Sequence, residues 1–236
     1  MKLKSFLRKA ESVLNRLDAW LPPETREPDW NAAAFRWQKA GNKGILESLP
    51  APHTFPLSRL AAVDSQTAKL VRNTEQFLAG RPANNVLLTG SRGTGKSSLV
   101  KALLHEYGAS GLRLIEVDKS DLTTLPALLQ LLASRPEKFI VFCDDLSFED
   151  GEDGYKALKT ALDGGLSQRC ANVLVYATSN RRHLMPEYMD ENTGHTGVRG
   201  EVHAKEAVEE KISLSDRFGL WRSEEHTSEL QSRVSI

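Results

Sequence analysis

The stretch Gly90-Ser91-Arg92-Gly93-Thr94-Gly95-Lys96-Ser97 fits the spacing G-x-x-x-x-G-K-[ST] at every fixed position. The chemistry that such a stretch can do is phosphate binding. Its glycines let the backbone curl closely round an anion, so that successive N–H groups and the first turn of a following helix point at phosphate oxygens. Lys96 is then placed to reach the β- and γ-phosphates, and the Ser97 hydroxyl to complete a Mg²⁺ shell otherwise made of water and phosphate. The expectation is a nucleoside triphosphate site. A glycine-rich turn that carries Lys-Ser by chance is the plain alternative, and the flanking sequence argues against it.

A second group of chemical residues lies downstream. Asp144-Asp145 ends the apolar run Phe139-Ile140-Val141-Phe142-Cys143, and acidic residues at the carboxyl end of a buried strand fall where ligands bind in an open parallel sheet. Asp144 is the natural residue to hold Mg²⁺ through water, and Asp145 to orient or deprotonate an attacking water. A further apolar run, Val173 to Thr178, closes with Ser179-Asn180. Asn180 at such a strand tip can hold a water opposite the γ-phosphate, although a lone Asn is more often an ordinary turn residue.

These residues require elements to carry them. Val86 to Thr89 reads as an apolar strand before the glycine-rich turn, and a helix follows to about Tyr107. Beyond it come a strand at 112–117, a helix at 125–133, the Asp144 strand, a helix from Gly154 to about Asp163, and the 173–178 strand. Strands alternating with helices predict an α/β fold with a mainly parallel sheet between two helical layers. Between Leu57 and Gly80 a loop and helix precede the phosphate strand, with Leu60, Ala62 and Val63 where an adenine ring could rest.

The amino-terminal part is read differently. Residues 1–21 place Leu3, Phe6, Leu7, Ala10, Val13, Leu14, Leu17 and Trp20 at helical spacing, with Lys2, Lys4, Arg8 and Lys9 near the start. Pro22, Pro23 and Pro28 end that helix, and Trp30 to Trp37 is predicted to form a second short helix ending near Gly41. Residues 41–58, with three prolines, read as an extended connector. Residues 1–56 are thus expected to be a helical arm and connector, and 57–221 the nucleotide-binding domain.

Composition sets outer limits. The 236 residues carry 31 basic and 31 acidic side chains, so no global field draws the chain to nucleic acid or an anionic membrane. Two cysteines, Cys143 and Cys170, suggest a reducing compartment, with Cys143 a buried and unreactive thiol. No apolar run has transmembrane length, and a cytoplasmic protein is the expectation. His195 and His203 have no convincing metal-ligand spacing, and 190–205 is polar and glycine-dotted, as in a mobile surface loop. The tail at 222–236 opens with RSEEHTSELQS, which resembles the translation of a sequencing adapter, and is expected to be non-native.

The phosphate loop, Asp144-Asp145, Thr178-Ser179-Asn180 and Ser215-Asp216-Arg217-Phe218 stand in the order found in AAA+ ATPases. More narrowly, NNVLLTGSRGTGKSSLVKALL, CDDLSFE, TSNRRHL and EEKISLSDRFGLW resemble the bacterial AAA+ proteins grouped as domain of unknown function 815, from about Leu57 to Trp221. The resemblance implies a three-layer P-loop NTPase fold of AAA+ type that binds ATP and Mg²⁺. It matches Lys96 and Ser97 to Walker A, Asp144 to the Walker B metal position, Asn180 to sensor 1 and Arg217 to the arginine finger. A finger that reaches a neighbour's site implies a homo-oligomer. Asp145 departs from the Glu that many AAA+ proteins carry. The resemblance also places a fifth strand beside the phosphate strand just after the finger, then a helical lid; both are expected to be missing, which would leave the phosphate strand at an open edge. The implied activity is Mg-ATP hydrolysis coupled to remodelling of a macromolecule; the alternative is an ATP-dependent binding switch or nucleic-acid loader with little turnover. A small-molecule kinase is disfavoured by the strand at 112–117 and by Asn180.

Overall fold

In the computed structural model, residues 4, 6, 11–13, 27–41, 43–60, 65–148, 152–163, 170–180 and 217–222 are described. Four apolar runs form the middle of the sheet. They are β3 (Val86–Thr89), β4 (Leu112–Val117), β5 (Lys138–Cys143) and β6 (Val173–Ser179). Their parallel pairings run β4–β5–β6–β3, so the phosphate strand pairs with the last of them and not with its neighbours in sequence. Every residue of β3 is buried, and so are the last five of β5. Strands of this kind cannot show the in–out alternation of a half-exposed sheet.

Both faces are covered by helices. On one side Val86, Leu88, Leu114, Ile140, Phe142 and Tyr176 pack with Leu70 and Phe77 of α1 (Ser65–Leu78) and with Leu99 and Leu103 of α2 (Lys96–Tyr107). On the other, Leu87, Ile115, Phe139, Val141, Val175 and Ala177 meet Leu125, Leu128 and Leu132 of α3 (Leu125–Ala133) and Leu158 and Leu162 of α4 (Asp153–Asp163). The alternation of strand side chains therefore builds two cores, one for each helical layer. Cys143 is fully buried, and burial pushes its thiol up to about 12, which leaves it protonated and inert.

Two expectations are corrected here. Ala34–Ala40 and Lys43–Leu49 are strands, β1 and β2, joined as an antiparallel hairpin, where a helix and an extended connector were predicted. The turn contains Gly41 at φ +62°, so that glycine reverses the chain and does not end a helix. Phe35 and Trp37 point into one core and Ala34 into the other. Arg36, between them, pairs with Glu116 of β4 at 3.0 Å. The hairpin thereby joins the sheet, β1 lying parallel to β4. The Trp37 ring lies against Gly44, where an added Cβ would come within 1.7 Å of it, and its indole N–H donates to the Thr124 hydroxyl at 2.8 Å.

The second correction concerns the other side of the sheet. The strand expected to be missing is present as β7 (Leu220–Arg222), parallel to β3, so that among the described residues the sheet order is β2-β1-β4-β5-β6-β3-β7. Leu220 and Trp221 pair with Val86 and Leu87, and the phosphate strand is an interior strand. The expected lid falls outside the described residues. The whole is a three-layer α/β architecture, a mainly parallel sheet between two helical layers.

At the amino terminus Lys4, Phe6, Glu11, Ser12 and Val13 are helical, and the rest of the predicted helix lies outside the described residues. Ala62, Val63, the 190–205 stretch, His195, His203 and the tail beyond 222 lie outside them too. Among the described residues, no helix is long and apolar enough to cross a membrane.

Candidate functional site

The glycine-rich turn takes its shape from backbone angles that other residues rarely adopt. Gly90, Gly93 and Gly95 have φ of 147°, 81° and 84°. A Cβ built at Gly93 or Gly95 would meet no atom within 4 Å, so these positions demand conformation and close backbone approach, not space against their own chain. Gly95 precedes α2, whose hydrogen bonding begins with the Leu99 amide on the Gly95 carbonyl at 2.8 Å. Glycine has no side chain to cap the first turn. The N–H groups there remain directed at the cleft, at the positive end of the helix dipole.

Lys96 opens α2 and is only 5% exposed. Its ammonium donates to the carbonyls of Gly90 and Ser91 at 2.8 and 2.7 Å and to Asn180 Oδ1 at 3.1 Å. The cation is thus aimed back across the loop it closes. Next to it, the Ser97 hydroxyl donates to Asp144 Oδ1 at 2.6 Å. This leaves the Ser97 oxygen with lone pairs for a hard cation and sets a carboxylate beside it, an all-oxygen set of the kind Mg²⁺ takes. The residues present fit that ion.

The acidic pair occupies the turn after β5. Asp145 has φ +51°, a conformation that Asp tolerates better than most residues. Its carboxylate accepts from Asn180 Nδ2 at 2.5 Å and lies 3.8 Å from the Arg92 guanidinium. Asn180 accordingly spans the site, with its amide oxygen on Lys96 and its amide nitrogen on Asp145. Its position at the tip of β6 follows from the pairing of β6 with both β5 and β3. The Gly90 amide reaches the Ser179 carbonyl at 3.2 Å, tying the loop to the same tip.

The structure therefore brings Arg92, Gly93, Thr94, Gly95, Lys96, Ser97, Asp144, Asp145 and Asn180 into one cleft of about 320 Å³. Gly90 and Ser91 form the near end of the loop, through their carbonyls. Arg217 is not among the residues lining the cleft. Its guanidinium is bonded to Asp163 at the end of α4, and Phe218 beside it is buried in the α3–α4 core. Ser98 and Thr178 also border the cleft. Thr178 received no role in the sequence reading, yet its hydroxyl bonds both acidic residues. The available signal was a hydroxyl residue at the end of an otherwise apolar strand.

A family model described as "Protein of unknown function (DUF815)" matches residues 30–229. No curated protein matches the sequence. Among solved structures, DnaI is similar at 17% identity and a TM-score of 0.46, over 73% of this chain and 88% of that one. The Thermotoga maritima RuvB Holliday junction branch migration motor is similar at 17% identity and a TM-score of 0.42, over 72% of this chain and 47% of RuvB. AMPPCP-bound DnaA from Aquifex aeolicus is similar at 16% identity and a TM-score of 0.45, over 75% of this chain and 52% of DnaA. The chain spans about half the length of these last two. The family match covers the hairpin, the phosphate loop, both strand ends that face it and the Arg217 segment, and on that extent the chain belongs to the DUF815 family.

Proposed function

We propose that the cleft binds Mg-ATP and hydrolyses it, and that turnover drives remodelling of a macromolecule by an assembly of this chain. The observation that carries the reading is the convergence of Lys96, Ser97–Asp144 and Asn180–Asp145 on one glycine-rich loop. The loop amides and Lys96 would hold the β- and γ-phosphates, with Ser97 and Asp144 holding the ion. A bound Mg²⁺ would neutralise charge that builds on the phosphate oxygens. Asp145 would accept a proton from the attacking water while Asn180 fixes where that water sits. Arg217, which pairs with Asp163 and does not line its own cleft, would serve the cleft of a neighbouring copy.

A second reading, an ATP-dependent switch or nucleic-acid loader with little turnover, is favoured by one contact. The Asp145 carboxylate is already engaged by Asn180 and faces Arg92 at 3.8 Å, so its contact with Asn180 would have to rearrange for that oxygen to meet an attacking water. One experiment separates the readings. Titration with a fluorescent ATP analogue, with and without Mg²⁺, is paired with the hydrolysis rate per protomer against protein concentration. Lys96→Ala should weaken nucleotide binding about 10- to 100-fold, the worth of a charged hydrogen bond, with its circular dichroism spectrum unchanged. Binding that survives Lys96→Ala undiminished rejects the site. Binding without turnover at any protein concentration selects the switch, and salt-sensitive DNA binding that needs ATP selects the loader.

A further inference from the structure

The tip of β6 grips the acidic turn at three consecutive residues. The Thr178 carbonyl accepts the Leu146 amide at 2.7 Å, and the Ser179 hydroxyl donates to the Leu146 carbonyl at 2.7 Å. The Thr178 hydroxyl is used twice: it donates its one proton to Asp144 Oδ1 at 2.5 Å and accepts the Asp145 amide at 2.8 Å. Thr178 is 2% exposed, so water hardly competes for either bond. Its place is also chemically odd. Tyr176 and Ala177 before it are buried in the two cores, and packing alone asks for no hydroxyl at the end of such a strand.

We infer that Thr178 is the positioning residue of the acidic pair, acting on Asp144 and Asp145 and not on nucleotide. The inference rests on the Mg-ATP reading of the cleft. Asp144 Oδ1 receives both the Thr178 and the Ser97 hydroxyls, which fixes the carboxylate rotamer that would face the ion. The Asp145 amide bond holds that residue at φ +51°, the angle at which its carboxylate meets Asn180. Without the hydroxyl, the Asp145 amide keeps only the longer contact to Asp144 Oδ1 at 3.2 Å. The turn is then released toward the ordinary helical or extended angles, and both carboxylates leave their stations together.

The test compares Thr178→Val, which keeps the shape and removes the hydroxyl, with Thr178→Ser, which restores it. Thr178→Ala makes the same deletion with a smaller side chain, should the valine not fold. Three readouts are taken on the full chain: hydrogen exchange of the Asp145 amide without ligand, the Mn²⁺ concentration that half-saturates the ATP-bound site by electron paramagnetic resonance, and kcat. Thr178→Val should exchange at least about tenfold faster, with Mn²⁺ half-saturation and kcat each worse by about 10- to 100-fold, the usual cost of losing a group that orients a metal ligand. ATP affinity in EDTA should be unchanged, and Thr178→Ser should recover most of the loss. Wild-type exchange and Mn²⁺ dependence in Thr178→Val overturn the inference, as does a serine variant that fails like the valine. A wild-type chain that binds no ATP overturns the reading of the cleft and the metal-positioning role with it. The ligand-free exchange rate still decides in that case whether Thr178 holds the turn.

Discussion

The cleft and the β1–β2 hairpin are made of opposite materials. In the cleft, polar and charged groups hold one another at 2.5 to 3.1 Å, and the bonds of Lys96 to Asn180 and of Ser97 to Asp144 are ones that a phosphate or an ion could replace. In the hairpin, Phe35 and Trp37 are buried to 0% and 3% exposure and no small molecule could take the place of their contacts. The difference teaches where changes in sequence should be felt. On the proposed reading, a change in the cleft should alter rates with little bearing on the fold, and a change in the hairpin should alter the fold with little bearing on rates.

The largest effect expected is at Arg217. On the proposal that it serves a neighbouring copy, its replacement by alanine should lower the hydrolysis rate about 10³- to 10⁵-fold while ATP binding persists. A near-normal steady-state rate for Arg217→Ala would place the finger elsewhere and leave Arg217 with a structural role beside Asp163. Trp37→Ala comes next, at about 3–5 kcal/mol of stability in a denaturant titration, because a large buried ring is lost from the face of Gly44. Its folded fraction should bind nucleotide like the wild type; a loss of affinity there would break the division between the two regions.

The smallest effect is electrostatic. Arg135 bonds the Glu137 carboxylate and holds it below the usual carboxylate range, against the opposing push of burial. A depressed folded value means that the pair stabilises the protein above the unfolded carboxylate's pKa and loses that contribution as pH falls through the folded value. Glu137→Gln should therefore cost up to about 1 kcal/mol near neutral pH and nothing in strong acid. Parallel thermal melts of both proteins across that range measure the difference, and a gap that persists at low pH would assign it to packing.

Legibility in the sequence followed the range of the interactions involved. The phosphate loop reads locally, since its glycines, Lys96 and Ser97 are consecutive and their spacing is the mechanism. The four central strands read well because burial on both faces leaves unbroken apolar runs, and their predicted bounds lie within a residue of those found. The hairpin did not read. Arg36, Gln38 and Lys39 interrupt its apolar residues, and the partner that explains Arg36 is Glu116, 80 positions away. The hydroxyl of Thr178 at a strand end could be read, but not its role, because what it holds belongs to another strand's turn. Asp163 gave no sign that it would pair with Arg217, 54 residues on. β7 was expected to be missing, yet three residues suffice to pair with β3.

The hairpin also decides how the folded chain meets other copies of itself. Without β1, the backbone of β4 would end the sheet, and Leu112, Leu114, Ile115 and Val117 would flank a row of unpaired amides and carbonyls open to any extended peptide. Such an edge is a template for aggregation. With the hairpin in place the last strand on this side, among the described residues, is β2, where Lys43 and Glu47 are exposed. A neighbouring strand that approached this edge would have to desolvate charge, so the hairpin gives the sheet a border that resists uncontrolled growth.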